Sequence, residues 1–264
     1  MISLNGVKKS FGSDILLESI SFSVGRGERV AILGPGGCGK STILKIILGL
    51  IPIDSGSVNL LGTDMSNAPE EVRRKTLKNV GMAFQQGALF DYMTVRENIE
   101  FAISNMTTMT DEESDRRVRE LLAGVKLPRS EFQFPYELSG GMQRRVGIAR
   151  AMAIHPLVGI FDEPTSGLDP VTSTVILNMI LELASANQDG CQVIATSNVE
   201  IAIRFAERII LINDGIVVAD GPWKRLLLEG QKWVKHFLSA RLIGLDPEYM
   251  AELHLPQEFI AHNS

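Results

Sequence analysis

The chain has 264 residues, with 26 Lys and Arg against 31 Asp and Glu for a formal net charge of −5, and 45% of it is hydrophobic. Such a composition suits one large α/β domain or two small ones and excludes disorder over most of the length. A mild acidic excess argues against nucleic acid as a partner, because phosphate backbones demand clustered cations. The two cysteines, Cys38 and Cys191, cannot build a disulfide framework and fit a reducing compartment. No apolar run approaches the roughly 20 residues needed to span a bilayer, and the first dozen residues lack the apolar core of an export signal. A soluble intracellular chain is the expectation.

In chain order, residues 2–9 and 15–24 alternate as antiparallel strands do, with a turn at Gly25-Arg26-Gly27. Residues 29–33 form a short apolar strand running into a glycine-rich turn, followed by a helix over 40–50. Residues 94–103 and 111–125 read as helices, the second opening on acidic residues that suit a helix amino terminus. A helix over 143–153 follows, then a strand over 157–161 and a helix over 170–187. A strand over 192–196, a helix over 199–208 and a hairpin (209–213 with 216–219) complete the pattern. Buried strands alternating with helices imply a mainly parallel sheet covered on both faces. The expected fold class is therefore α/β, with an antiparallel β subdomain at the amino terminus and a helical subdomain inserted at about 94–138. The domain is expected over 1–221, with a helical extension over 222–264. In that extension, residues 231–242 pattern as a helix with an aromatic stripe at Trp233 and Phe237, and Asp246-Pro247-Glu248 as a further helix start. The charge run at Glu112, Glu113, Arg116, Arg117, Arg119 and Glu120 reads as a solvated helix face.

Residues Gly34-Pro35-Gly36-Gly37-Cys38-Gly39-Lys40-Ser41 match G-x-x-x-x-G-K-[ST] between a strand and a helix. The glycines let backbone N–H groups wrap phosphates, Lys40 supplies charge to the β/γ oxygens, and Ser41 offers a hydroxyl to Mg²⁺. The apolar strand ending in Asp162 delivers that carboxylate to the carboxyl edge of the sheet, where it can hold Mg²⁺ directly or through water. Glu163, one residue on, is placed to act as general base on the attacking water. Leu138-Ser139-Gly140-Gly141-Met142-Gln143 has Ser139 as a natural N-cap and two glycines that allow a phosphate to approach the backbone. One chain thus carries two half-sites for one nucleotide, which suggests that two copies pair. The loop from Gln86 to Met93 either offers apolar surface to a partner or packs the helical subdomain against the chain's own sheet.

These segments, together with Ser166-Gly167-Leu168-Asp169 and with Gln85, resemble ATP-binding-cassette ATPases in order and spacing over roughly residues 2–221. The resemblance implies the P-loop ABC ATPase fold, ATP and Mg²⁺ as ligands, and a head-to-tail homodimer. It implies nucleotide binding by Phe11 (stacked on adenine), Gly34, Pro35, Gly36, Gly37, Cys38, Gly39, Lys40, Ser41 and Thr42, and by Ser139, Gly140, Gly141, Met142 and Gln143 from the partner copy. Ser41, Gln85 and Asp162 would hold the metal, Gln85 and Glu163 would serve the attacking water, and Asp169 would make a cross-dimer contact. It further implies an integral membrane permease as partner at the cytoplasmic face of the inner membrane. Gln86-Gly87-Ala88-Leu89-Phe90-Asp91, Met93-Thr94-Val95, Met142 and Arg144-Arg145-Val146 are most similar to the Mla/MCE-type lipid-transport ATPases. That group implies a lipid-binding MCE-type subunit and a small regulatory subunit. An importer of amino acids or other small polar solutes is the alternative, and a regulatory cassette ATPase outside transport a more distant one.

The sequence departs from this family at one position. Where a histidine usually reaches the γ-phosphate stands Ser197, and the four histidines, His155, His236, His254 and His262, all lie elsewhere. A serine hydroxyl is shorter than imidazole and carries no charge, so contact with the transition state weakens and hydrolysis slows. Ser197→His is expected to raise the ATP turnover of an active assembly; unchanged turnover in a steady-state assay would refute that role.

Overall fold

The computed structural model describes residues 1–185 and 189–239. The strands are β1 (Ile2–Phe11), β2 (Asp14–Val24), β3 (Arg29–Leu33), β4 (Ser55–Leu60), β5 (Thr63–Asp64), β6 (Val80–Ala83), β7 (Val158–Asp162), β8 (Cys191–Thr196), β9 (Arg208–Asn213) and β10 (Ile216–Pro222). The helices are α1 (Lys40–Ile47), α2 (Glu70–Leu77), α3 (Val95–Met106), α4 (Asp111–Gly124), α5 (Gly140–Met152), α6 (Pro170–Ser185), α7 (Val199–Phe205), α8 (Trp223–Glu229) and α9 (Lys232–Ser239).

The strands form one sheet in the order β5-β4-β1-β2-β10-β9-β3-β8-β7-β6. Strands β9, β3, β8, β7 and β6 run parallel, whereas β1, β2, β4 and β5 form an antiparallel half joined to them through β10. The parallel strands are buried on both faces, which is why they read as unbroken apolar runs. Ala31, Leu33, Phe161, Ile194, Ile209 and Leu211 face one core, shared with α3 through α9. Val30, Ile32, Ile160, Val193, Ala195 and Ile210 face the other, shared with α1 and the antiparallel half.

The inserted helices are closed by local chemistry. Thr94 caps α3 and Thr110 caps α4, each in a reciprocal box with the glutamate three residues on, Glu97 and Glu113. Both helices pack into the core that the sheet contributes to, and so do Trp223, Leu227, Val234 and Leu238 of α8 and α9. The residues after position 221 therefore share a core with the domain that precedes them.

Several sequence expectations are corrected. The first helix stops at Ile47 rather than 50, because Gly49 turns the chain at φ 67°. The helix expected over 199–208 stops at Phe205, and Arg208 instead opens β9, paired with Asp220 and Glu28. Arg117 is not on a solvated face; its guanidinium donates to the carbonyls of Met152 (2.7 Å) and Ala153 (3.3 Å), capping the carboxyl end of α5. In α9 the buried residues are Val234 and Leu238, whereas Trp233 is 41% exposed and stacks on Phe237, so the aromatic stripe is not the buried face. Residues 186–187, 240–242 and Asp246-Pro247-Glu248 lie outside the described residues.

The loop after β6 is held by two polar side chains. Asn98, fully buried, donates to the carbonyls of Phe90, Met93 and Thr94 (3.0–3.1 Å) and accepts from Phe90 N–H at 2.9 Å. Arg150 donates to Gly87 O and Ala88 O and lies 5.6 Å from the Phe90 ring centroid. Removing the amide strands several buried polar groups. Asn98→Ala is expected to cost about 3 kcal/mol of unfolding free energy, measured by urea titration.

Candidate nucleotide site

The site lies at the carboxyl ends of the parallel strands, where β3 hands the chain to α1. Gly34 has to be glycine because a Cβ there would sit 2.3 Å from the Ile212 carbonyl oxygen. Gly37 (φ 80°) and Gly39 (φ 99°) adopt left-handed backbone that lets the loop wrap before α1 begins. Lys40, 5% exposed, donates through Nζ to Gly34 O (3.0 Å) and Pro35 O (2.9 Å) and lies 3.5 Å from the Glu163 carboxylate. Ser41 Oγ donates to Asp162 Oδ1 at 2.9 Å. Thr42 follows, half-buried in the first turn of α1. Burial pushes the Cys38 thiol up, despite the pull of Lys40, so this side chain stays neutral at physiological pH.

Burial likewise raises the Asp162 carboxyl, with the Ser41 hydrogen bond opposing and the neighbouring Glu163 charge adding to the rise. Glu163 departs from the strand in a left-handed conformation (φ 43°), which costs a non-glycine residue about 1–2 kcal/mol. Its N–H is anchored to Ala195 O at 2.8 Å, so the strain directs its carboxylate away from β7 and toward the loop. The donor set fits the expected ligands. A glycine-rich N–H cradle, an ammonium and a helix amino terminus suit phosphate, and a hydroxyl beside a carboxylate suits a hard divalent cation.

Two clefts organise the remaining residues. One, about 660 Å³, brings Ser41 and Asp162 together with Gln85, Gly140 and Gln143. The other, about 630 Å³, holds Pro35, Gly36, Glu163 and Ser197 with Asn198 and Phe237. Ser197 lies exposed between β8 and the Asn198 that caps α7. Asp169 lines neither cleft. Its carboxylate accepts from Thr172 N–H (2.9 Å) and Thr172 Oγ1 (2.6 Å), capping α6, and these bonds hold it below the usual carboxylate range. Phe11 is no core residue, being 52% exposed at the end of β1 with Lys9 Nζ 5.2 Å from its ring centroid. Leu16 and Leu17 crowd the Gly39 position, which sets the β1–β2 hairpin carrying Phe11 beside the P-loop.

Gly140 and Gly141 lie inside the first turn of α5 rather than before it, and Ser139 Oγ accepts from Met142 N–H at 3.3 Å. Ser139 and Gly140 are exposed. Met142 packs on the core and Gln143 Nε2 donates to Pro135 O at 2.8 Å, so these two side chains turn inward. The sequence reading missed Lys45 and Arg144, which also line the first cleft. The signal for Arg144 was its place four residues after Gly140, one helical turn along the same face.

This strand–loop–helix cradle, with an acidic pair closing β7, the parallel strand beyond β8 in the same sheet, defines a P-loop nucleoside triphosphatase. Residues 17–166 match the family model described as ABC transporter, and the chain belongs to that family of ATP-binding cassettes. It is 37% identical over 254 residues to the Probable amino-acid ABC transporter ATP-binding protein y4tH of Sinorhizobium fredii, covering 92% of this chain and 98% of the relative. It is 33% identical over 259 residues to the chloroplastic protein Trigalactosyldiacylglycerol 3 of Arabidopsis thaliana, covering 92% of this chain and 75% of the relative. Among solved structures, the cassette MJ0796, as a dimer in a post-hydrolysis state bound to ADP and Pi, superposes with a TM-score of 0.77 at 33% identity. That match covers 84% of this chain and 98% of the other. The chain is an ATPase that uses ATP with Mg²⁺, and cassettes of this family pair with one another and associate with membrane permease subunits. Among the described residues, no helix is long and apolar enough to cross a membrane.

Because burial raises the folded-state pKa of Asp162, its ionised form opposes folding at neutral pH, and stability from this group grows as pH falls through that pKa. Asp162→Asn is expected to raise the melting temperature of the nucleotide-free chain at pH 8. The gain should shrink in thermal scans at progressively lower pH, and a lowered melting temperature at pH 8 would contradict the argument.

Proposed function

We propose that the chain energises a permease that moves lipid between membranes, working as a homodimer at the cytoplasmic face of the inner membrane. In this reading ATP lies between the P-loop of one copy and Ser139–Gly141 of the other, with Phe11 against the adenine. Lys40 exchanges its bonds to Gly34 O and Pro35 O for the β/γ oxygens of ATP. Ser41, Asp162 and Gln85 hold Mg²⁺, which when bound offsets negative charge on those oxygens. Glu163 accepts a proton from the water attacking the γ-phosphorus while the bond to the β–γ bridging oxygen breaks. Asp169 keeps its α6 cap and approaches the partner copy. Ser197 offers only a neutral hydroxyl where the family has imidazole.

The observation that carries the lipid reading is the 33% identity, over nearly the whole chain, with a relative named for a galactolipid. An amino-acid importer is the second reading, favoured by the comparable identity to the Sinorhizobium relative. A lipid transporter would add an MCE-type lipid-binding subunit and a small regulatory subunit.

The loop after β6 supports permease docking at one residue more than another. Phe90 is half-buried against Phe101 (centroids 4.9 Å apart), whereas Tyr92 is 74% exposed. Tyr92 borders a groove of about 750 Å³ edged by Glu97, Glu100, Asp111 and Asp115.

Three measurements test these assignments. Tagged chain drawn from gently solubilised membranes should bring along a multi-span permease and a lipid-binding subunit; a permease served by a solute-binding protein would establish the importer instead. Tyr92→Ser should weaken permease capture while leaving the urea midpoint unchanged. Glu163→Gln should lower turnover about 100-fold or more with ATP binding retained.

A further inference from the structure

Ser166 is reached by two side chains. Gln85 Nε2 donates to its Oγ across 3.4 Å, and Arg144 Nη1 donates to its backbone carbonyl across 2.5 Å. The Ser166 N–H in turn donates to Glu163 O at 3.2 Å, closing a turn headed by Glu163, and the segment continues to Asp169, the cap of α6. Arg144 is on the face of α5 that also carries Gly140, and both line the first cleft. One guanidinium thus joins the helix terminus proposed to face the partner copy's nucleotide to the segment that carries the chain's own general base.

Stability alone does not account for a cation here. Among the described residues, Arg144 Nε is buried without a hydrogen-bond partner, and burial shifts the guanidinium downward with no carboxylate opposing the shift. A partly desolvated charge without a counter-ion opposes folding. What arginine supplies is a rigid planar donor at fixed reach, which a shorter neutral side chain cannot reproduce.

We infer that Arg144 is a positioning residue whose bond to the Ser166 carbonyl locks the Glu163 turn to the first turn of α5. The carboxylate acting on one ATP and the helix terminus acting on the other then move as one body. The inference rests on the roles proposed above for Glu163 and Ser139–Gly141. Losing the link leaves the P-loop and its lysine intact but lets the carboxylate drift, and an error of about 1 Å in such a group costs one to two orders of magnitude in rate.

The test compares wild type, Arg144→Met and Arg144→Lys as full chains, in ATP turnover and in hydrogen exchange of the peptide spanning 163–169. Arg144→Met should lower kcat about tenfold or more with KM for ATP changed by less than about twofold. Arg144→Lys, whose ammonium can donate to the same carbonyl, should recover most of that loss. Exchange over 163–169 should quicken in Arg144→Met and return toward wild type in Arg144→Lys. Wild-type kcat in Arg144→Met, a raised KM at unchanged kcat, or a lysine variant as slow as the methionine one would each overturn the inference. Should Arg144→Met fail to fold, Arg144→Gln takes its place with the same expected loss. Exchange separates the two claims, because quickened exchange in Arg144→Met beside undiminished turnover in Glu163→Gln would uphold the link and refute the catalytic role of Glu163. Unchanged exchange would refute the link whatever the turnover.

Discussion

A lysine ammonium at 5% exposure must be neutralised, and Lys40 is neutralised by the loop it helps to build and by the carboxylate it is to work beside. Its two bonds to Gly34 O and Pro35 O fold the P-loop over its own cation, and its approach to Glu163 ties β3–α1 to the end of β7. Breaking a buried pair by removing one partner is costly, so the arrangement requires that β3 and β7 reach the same edge with β8 between them. The parallel register of Leu33 with Thr196, and of Asp162 with Ala195, meets that requirement. Phosphate oxygens arriving at the loop offer the ammonium stronger acceptors than carbonyls, so ligand binding replaces internal bonds rather than filling a bare charge.

Close backbone crossing does for the helical half what this pair does for the sheet. A Cβ on Gly147 would lie 2.9 Å from the Gly87 Cα, and one on Gly87 would lie 2.9 Å from the Gln143 carbonyl oxygen. The loop after β6 therefore lies flat on α5, where Arg150 and Asn98 fasten it. Gln85 at the head of that loop faces the cleft with Ser41 and Asp162, and Tyr92 at its far end meets solvent. A displacement at the exposed end has a short, rigid path to the residues around the nucleotide.

Where the sequence was legible, a local rule sufficed. Buried parallel strands announce themselves as apolar runs, and the P-loop as glycines between a strand and a helix. Residues 51–93 were not assigned to elements because β4, β5, α2 and β6 are short, and β4 and β6 pair with strands far along the chain. Helix ends were overshot where a distant partner decided them. Arg208 looked like the last turn of a helix until Glu28 and Asp220, one far upstream and one in the next strand, drew it into β9. Within the site, residue identity was legible and engagement was not. Nothing in the sequence told that Gln143 turns inward or that Arg117 closes the carboxyl end of α5.

The two tryptophans occupy opposite environments. Trp223 is sealed in the core, while Trp233 is partly open to water and stacked at 5.2 Å on Phe237, which forms part of the wall of the cleft holding Glu163 and Ser197. The molecule thus carries its own optical gauge. Trp223 supplies an emission insensitive to solvent, and Trp233 one that an aqueous quencher reaches and that the ring beneath it modulates. Any rearrangement of the cleft wall during the ATP cycle is written into the ratio of the two signals, without a dye or a label.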